Sequence, residues 1–107
     1  MSKPPIHILI IAKLGDHQRA MNDYDTSIKL DPYYPYAYIN RGNTYAEFRL
    51  YQKAIENFDK AIELDPYKAL AYYNKGVELR NSGQMDLAAK EFQRAVVNQT
   101  FSVRLFS

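Results

Sequence analysis

Apolar and small residues recur along the chain at spacings of three and four. Tyr38, Gly42, Tyr45 and Phe48 form one such run, and Ala54, Ile55, Phe58, Ala61 and Ile62 form a second. This is the period of one face of an α-helix, so the spacing predicts two consecutive helices. Pro35 suits the first turn of the earlier helix, where a missing N–H costs nothing. Asp65-Pro66 ends the later one, because proline disfavours helical geometry in the residue before it.

The same pattern returns after 34 residues. Asp23 to Pro32 reads DYDTSIKLDP and Asn57 to Pro66 reads NFDKAIELDP, identical at five of ten positions. Ala37, Tyr38, Asn40, Gly42, Ala54, Phe58 and Ala61 recur as Ala71, Tyr72, Asn74, Gly76, Ala88, Phe92 and Ala95. In the other direction, Ala20, Tyr24, Ile28, Leu30 and Pro32 foreshadow Ala54, Phe58, Ile62, Leu64 and Pro66. The units are residues 1–34, 35–68 and 69–102, with a tail at 103–107, all within one domain. Each reads as a helix pair, with Gly83 at the turn of the third. Gly42, Ala54 and Ala61, and their counterparts, are small where two helix axes must approach to roughly 8–10 Å. One pair cannot bury its own apolar face, whereas stacked copies can.

These residues resemble the tetratricopeptide repeat family. The 34-residue period matches, as does the order Tyr38, Gly42, Tyr45, Ala54, Phe58, Ala61, Pro66. The resemblance spans about residues 14–98. It implies an all-α fold of about five or six helices, stacked as antiparallel pairs into a right-handed superhelix. It also implies a concave groove that binds peptides or other proteins.

Both ends depart from the pattern. The first unit keeps its second helix, from about His17 to Leu30, but Ile8 stands where Gly42 and Gly76 stand. Pro4 and Pro5 fall where the first helix should begin, and IHILIIAKL is apolar on nearly every side. A bulky Ile at a close-approach position should push this segment from its usual seat, as a shifted helix, an extended arm, or a segment packed on another chain. The third unit reads Asn98-Gln99-Thr100 where Leu64-Asp65-Pro66 would recur, and runs on into FSVRLFS. Repeat stacks need polar caps for solubility, and neither end reads as one. The ends are either those of a fragment or surfaces for self-association into a homo-oligomer.

In the family, the first helix of each pair lines the groove. Carried over by position, the groove residues are Tyr36, Ile39, Asn40, Asn43 and Glu47 in the second unit. In the third they are Leu70, Tyr73, Asn74, Val77, Arg80 and Asn81. Asn can both donate to and accept from a peptide backbone, and Tyr couples apolar area to a polar tip. Asn40 and Asn74 could instead serve only to bond the neighbouring helix. Some family members clamp the acidic tails of heat-shock chaperones with Lys, Asn and Arg. Here those positions hold Pro5 and Leu9 in the first pair, Asn40 in the second, and Leu70 and Asn74 in the third. The clamp is not kept. The aromatic stretch Asp31 to Tyr36 reads as an inter-unit turn with Tyr33 and Tyr34 packed on both sides, ahead of an exposed contact site.

Composition narrows the function further. Of the 107 residues, 47% are hydrophobic and 24% charged, with a net charge of +2. Basic residues are scattered, which argues against nucleic acid or a membrane as partner. There is no cysteine, which removes disulfides and thiolate chemistry. The longest apolar stretch, Ile8 to Ala12, falls far short of the roughly 20 residues a membrane helix needs. No secretory signal is read, leaving the cytoplasm as the default expectation. His7 and His17 lie ten residues apart, not a helical step, and read as a surface and a loop histidine. No metal, cofactor or catalytic motif is expected, so the chain reads as a non-enzymatic scaffold for a protein or peptide partner. The alternative is a structural protein whose apolar ends stack or swap between chains.

Overall fold

The computed structural model describes residues 5–106, and the side chains of residues 5–100. It contains five helices and, among the described residues, no strand: α1 (Ile6–Leu30), α2 (Pro35–Glu47), α3 (Tyr51–Leu64), α4 (Ala69–Asn81) and α5 (Met85–Phe106). α2 pairs with α3 and α4 with α5; α4 also rests on α3, and α1 rests on α2.

The pairing of α2 with α3 follows from one contact. A Cβ added to Gly42 would lie 2.6 Å from Cε1 of Phe58, so only glycine admits that ring. Phe58 is fully buried, in a cluster with Tyr38, Ile39, Ala54, Ala61 and Ala71. Gly76 meets Phe92 in the same way, at 2.7 Å. A second cluster of Ile55, Leu79 and Ala88, with Phe92 against it, joins α3 to the last pair.

The turns repeat as faithfully as the helices. Asp31 Oδ1 accepts the N–H of Tyr33 and Asp65 Oδ1 that of Tyr67, both at 3.1 Å. The hydroxyl of Tyr38 then donates to the carbonyl of Pro32 at 3.2 Å, and that of Tyr72 to Pro66 at 2.8 Å. Each inter-unit turn is thus fastened by the tyrosine of the helix it launches. Tyr33 and Tyr34, expected to pack across the first turn, are instead exposed. Tyr38 supplies the anchorage instead, and Tyr34 tilts against Tyr36 at 5.7 Å between ring centroids. Within pairs the chain reverses through left-handed backbone at Arg49 (φ 59°) and Gly83 (φ 88°).

The first unit breaks this scheme. Its two expected helices are one uninterrupted helix of 25 residues, with Gly15, the 34-residue counterpart of Arg49, inside it rather than at a turn. The reason lies in the register. Ile8 and Tyr24 correspond to Gly42 and Phe58, and in a closed hairpin an isoleucine side chain would fall in the space that the aromatic ring needs. The hairpin does not close, so the helix runs straight on. Its stripe His17, Met21, Tyr24 and Ile28 is half-buried, while Ile6, Ile8, Leu9, Ile10, Ile11 and Leu14 all stay exposed. At the other end α5 continues helically to Phe106; the apolar side chains expected in that tail, like Pro4, lie outside the described residues.

The two glycines sit in different surroundings. Phe58 is fully buried, whereas Phe92 is half-buried and lines an open cleft that leaves its ring room to yield. Gly42→Ala should therefore destabilise the chain, an overpacking cost of about 1–3 kcal/mol outweighing a helix-propensity gain of about 1 kcal/mol. Gly76→Ala should be close to neutral. Urea unfolding of both variants checks this; equal effects would contradict the difference in enclosure.

Candidate interaction surface

The candidate groove residues lie on α2 and α4, helices whose pairing with α3 and α5 turns one stripe of each away from the core. Asn40, Asn43 and Glu47 are exposed on α2, and Asn81 on α4, with Asn74 and Val77 half-buried beside it. The amide of Asn74 donates to Oδ1 of Asn43 at 3.3 Å and so ties the two stripes together. Asn40 keeps its side chain at the surface, and only its backbone carbonyl is engaged, by Thr44.

Other expected members fall elsewhere. Ile39 is 1% exposed and belongs to the core, because α4 covers it. An apolar β-branched side chain at the junction of three helices packs inward, which position-by-position transfer could not foresee. Leu70 and Tyr73 line a cleft of about 540 Å³ between α4 and α5, with Phe92, Ala95 and Val96. Arg80 places its guanidinium 5.9 Å from the Phe92 ring, on that same side. Tyr36 is exposed but engaged: the Lys68 ammonium lies 4.2 Å from its ring centroid. Glu47 faces Nε2 of His17, whose Nδ1 donates to the Lys13 carbonyl at 2.9 Å and whose ring stands edge-on to Phe48. His17 is therefore a helical residue that fixes α1 to the end of α2, not a loop histidine. A second cleft, of about 330 Å³, opens just above it between Ile10, Leu14 and Phe48.

A repeated polar network escaped the sequence reading. Arg41 on α2 donates to Asp25 on α1 at 3.0 Å and to Asn57 on α3 at 2.7 Å. Thirty-four residues on, Lys75 on α4 lies 2.6 Å from Asp59 on α3 and 3.9 Å from Glu91 on α5. A cation on the first helix of a unit thus joins the second helices of its own unit and the preceding one. Aligning charged residues at the same 34-residue shift would have exposed it, since Asp25, Arg41 and Asn57 become Asp59, Lys75 and Glu91.

Glu78 sits beside Asn81 at 7% exposure, and its Oε2 has no hydrogen-bond partner. Burial pushes its carboxyl above the ordinary value of 4.5, although Asn81 and the charge of Arg80 pull it back. Among the described residues no group of three His, Cys, Asp or Glu is placed to hold a metal ion, and no helix is long and apolar enough to cross a membrane.

Comparison with known proteins agrees with this architecture. Models described as tetratricopeptide repeat match residues 35–68 and 57–90, and one described as TPR repeat matches residues 10–47. No curated protein matches the chain. Among solved structures, that of MamA is 27% identical, with a TM-score of 0.79, covering 86% of this chain and 54% of its own. The chain therefore spans about half the length of that relative. The Arabidopsis OM64 TPR domain is 27% identical, with a TM-score of 0.74, covering 83% of this chain and 74% of its own. The second TPR of Spaghetti (RPAP3), solved bound to the HSP90 peptide SRMEEVD, is 25% identical, with a TM-score of 0.73, covering 79% of each chain.

The raised Glu78 carboxyl has a consequence for stability. Its folded-state affinity for a proton exceeds that of the unfolded chain, so its favourable contribution is full below the unfolded value and fades as pH rises through the folded one. Glu78→Gln should therefore gain stability over the parent at about pH 7 and lose most of that advantage at about pH 4. Urea unfolding at both pH values tests this; an advantage independent of pH would contradict it.

With the 34-residue register, the glycine–aromatic contacts and the matched models in agreement, the chain belongs to the tetratricopeptide repeat family.

Proposed function

We propose that the chain is a non-catalytic interaction module that holds a peptide or protein segment along the α2–α4 face. The observation that carries this is the paired stripe of Asn40, Asn43 and Asn74, uncharged amides presented by rigid helices and joined across them. Such amides satisfy a peptide backbone from either side, while Val77 supplies an apolar contact. The solved TPR relative bound to an HSP90 peptide lends support, in that a similar fold there holds a short peptide. The partner here differs in chemistry. The clamp positions hold Pro5, Leu9, Leu70 and Asn74, so an acidic tail would find no lysine pair to neutralise it. The ligand is a segment recognised by backbone hydrogen bonds and small apolar side chains.

We also infer a capacity for self-association within this single domain, carried by the six exposed apolar residues between Ile6 and Leu14. Contiguous apolar surface of this kind marks an interaction site.

The groove reading is tested with peptides selected from a random library against the purified chain. Asn40→Ala and Asn43→Ala should each weaken binding by about two- to tenfold, the loss of one hydrogen bond of about 0.5–1.5 kcal/mol. The unfolding midpoint should not move for Asn40→Ala, and should fall only slightly for Asn43→Ala, which loses the exposed bond from Asn74. Selected peptides that bind both variants as tightly as the parent would contradict the groove assignment.

A further inference from the structure

Among the described residues, the α4–α5 face repeats a seat that is filled between the second and third units. On the second unit, Ile39, Phe58, Ala61 and Ile62 form the bed on which α4 lies, and Ala71 of α4 completes their cluster. Ile39 is 1% exposed there, and Phe58 and Ala61 are fully buried. Thirty-four residues later the same positions are Tyr73, Phe92, Ala95 and Val96, and these line the 540 Å³ cleft between α4 and α5. Tyr73 is 54% and Val96 66% exposed. By register, this cleft is the seat for the first helix of one more unit.

The opposite end carries a helix of the matching kind. Residues 6–14 are, by the same register, first-helix residues, with Ile8 at the position of Gly42 and Gly76. They are barred from their own second helix by Ile8 and remain apolar and uncovered in α1, Ile6 at 75% and Ile11 at 65% exposure. We propose that the N-terminal half of α1 of one copy docks in the α4–α5 cleft of another. The copies then join head to tail, and the helical stack continues across the junction as α4 continues it over α3. This rests on the self-association reading and specifies its geometry. The inter-unit polar contact carries over in altered form: His7 is the register counterpart of Arg41 and Lys75, and Gln93 that of Asp25 and Asp59. A charged pair within the chain is replaced by a histidine facing a glutamine between chains. Because the two surfaces are different and the stack continues in one direction across the junction, the contact is heterologous and repeats from copy to copy.

Two variants block one surface each at exposed positions. Val96→Glu places a charge in the cleft, and Ile6→Glu with Ile11→Glu places two on the helix; circular dichroism confirms that both fold. Should Val96→Glu fail to fold, Tyr73→Lys blocks the cleft in its place. Light scattering should show the parent growing beyond a dimer as concentration rises, and each variant alone as a monomer. An equimolar mixture of the two should form a one-to-one dimer and nothing larger, since one free helix then meets one free cleft. A cleft variant that retains the parent's mass, beside a monomeric helix variant, would overturn the head-to-tail seat and leave self-association through paired α1 helices. A parent that stays monomeric throughout would overturn self-association and this proposal together.

Discussion

The approach of the Phe58 ring to the backbone of Gly42 sets the arrangement of everything around it. A methyl group at Gly42 would fall 2.6 Å from that ring, so α2 and α3 lie close only because the side chain is absent. Close helices bury Ala54, Ala61 and Phe58 together, and the surface so formed receives α4. The same contact at Gly76 and Phe92 forms the next pair, and its replacement by Ile8 and Tyr24 prevents the first. One position in each 34-residue unit thus decides whether two helices form a hairpin or a single rod.

What this architecture produces is surface. Each pair turns one stripe of its first helix outward, and Arg41 ties the α2–α3 pair to α1 as Lys75 ties the α4–α5 pair to α3. The resulting face carries amides, one half-buried valine and few charges. Its residues are held by pairing contacts that need no ligand to form them, so the proposed segment would meet a preorganised surface and be spared the cost of ordering it.

Much of this was legible in the sequence because the physics that made it is local and repeated. The 34-residue period, the small residues at close approaches and the Asp-Pro turns each leave a mark within a few positions. Asn40, Asn43 and Asn74 carry over by position from the family resemblance, and all three lie on the α2–α4 face. Ile39 does not, since its burial comes from α4, thirty residues away in sequence. Leu70 and Tyr73 share the groove spacing but border the uncovered end of the stack, which spacing alone cannot distinguish. Ile8 announced a disturbance without its form. Gly15 left both forms open, since a glycine can serve either as a left-handed turn, like Gly83, or as an ordinary helical residue, as it does here.

The central claim is that Ile8 at the close-approach position keeps α1 straight. It is tested most directly by the distance between spin labels at positions 7 and 29, both exposed. Twenty-two residues of continuous helix separate them by about 33 Å. A hairpin turning at Gly15, with its helices about 10 Å apart, would bring them to within about 15 Å. The account predicts the long distance in the parent chain, and a population dominated by the short one would contradict it.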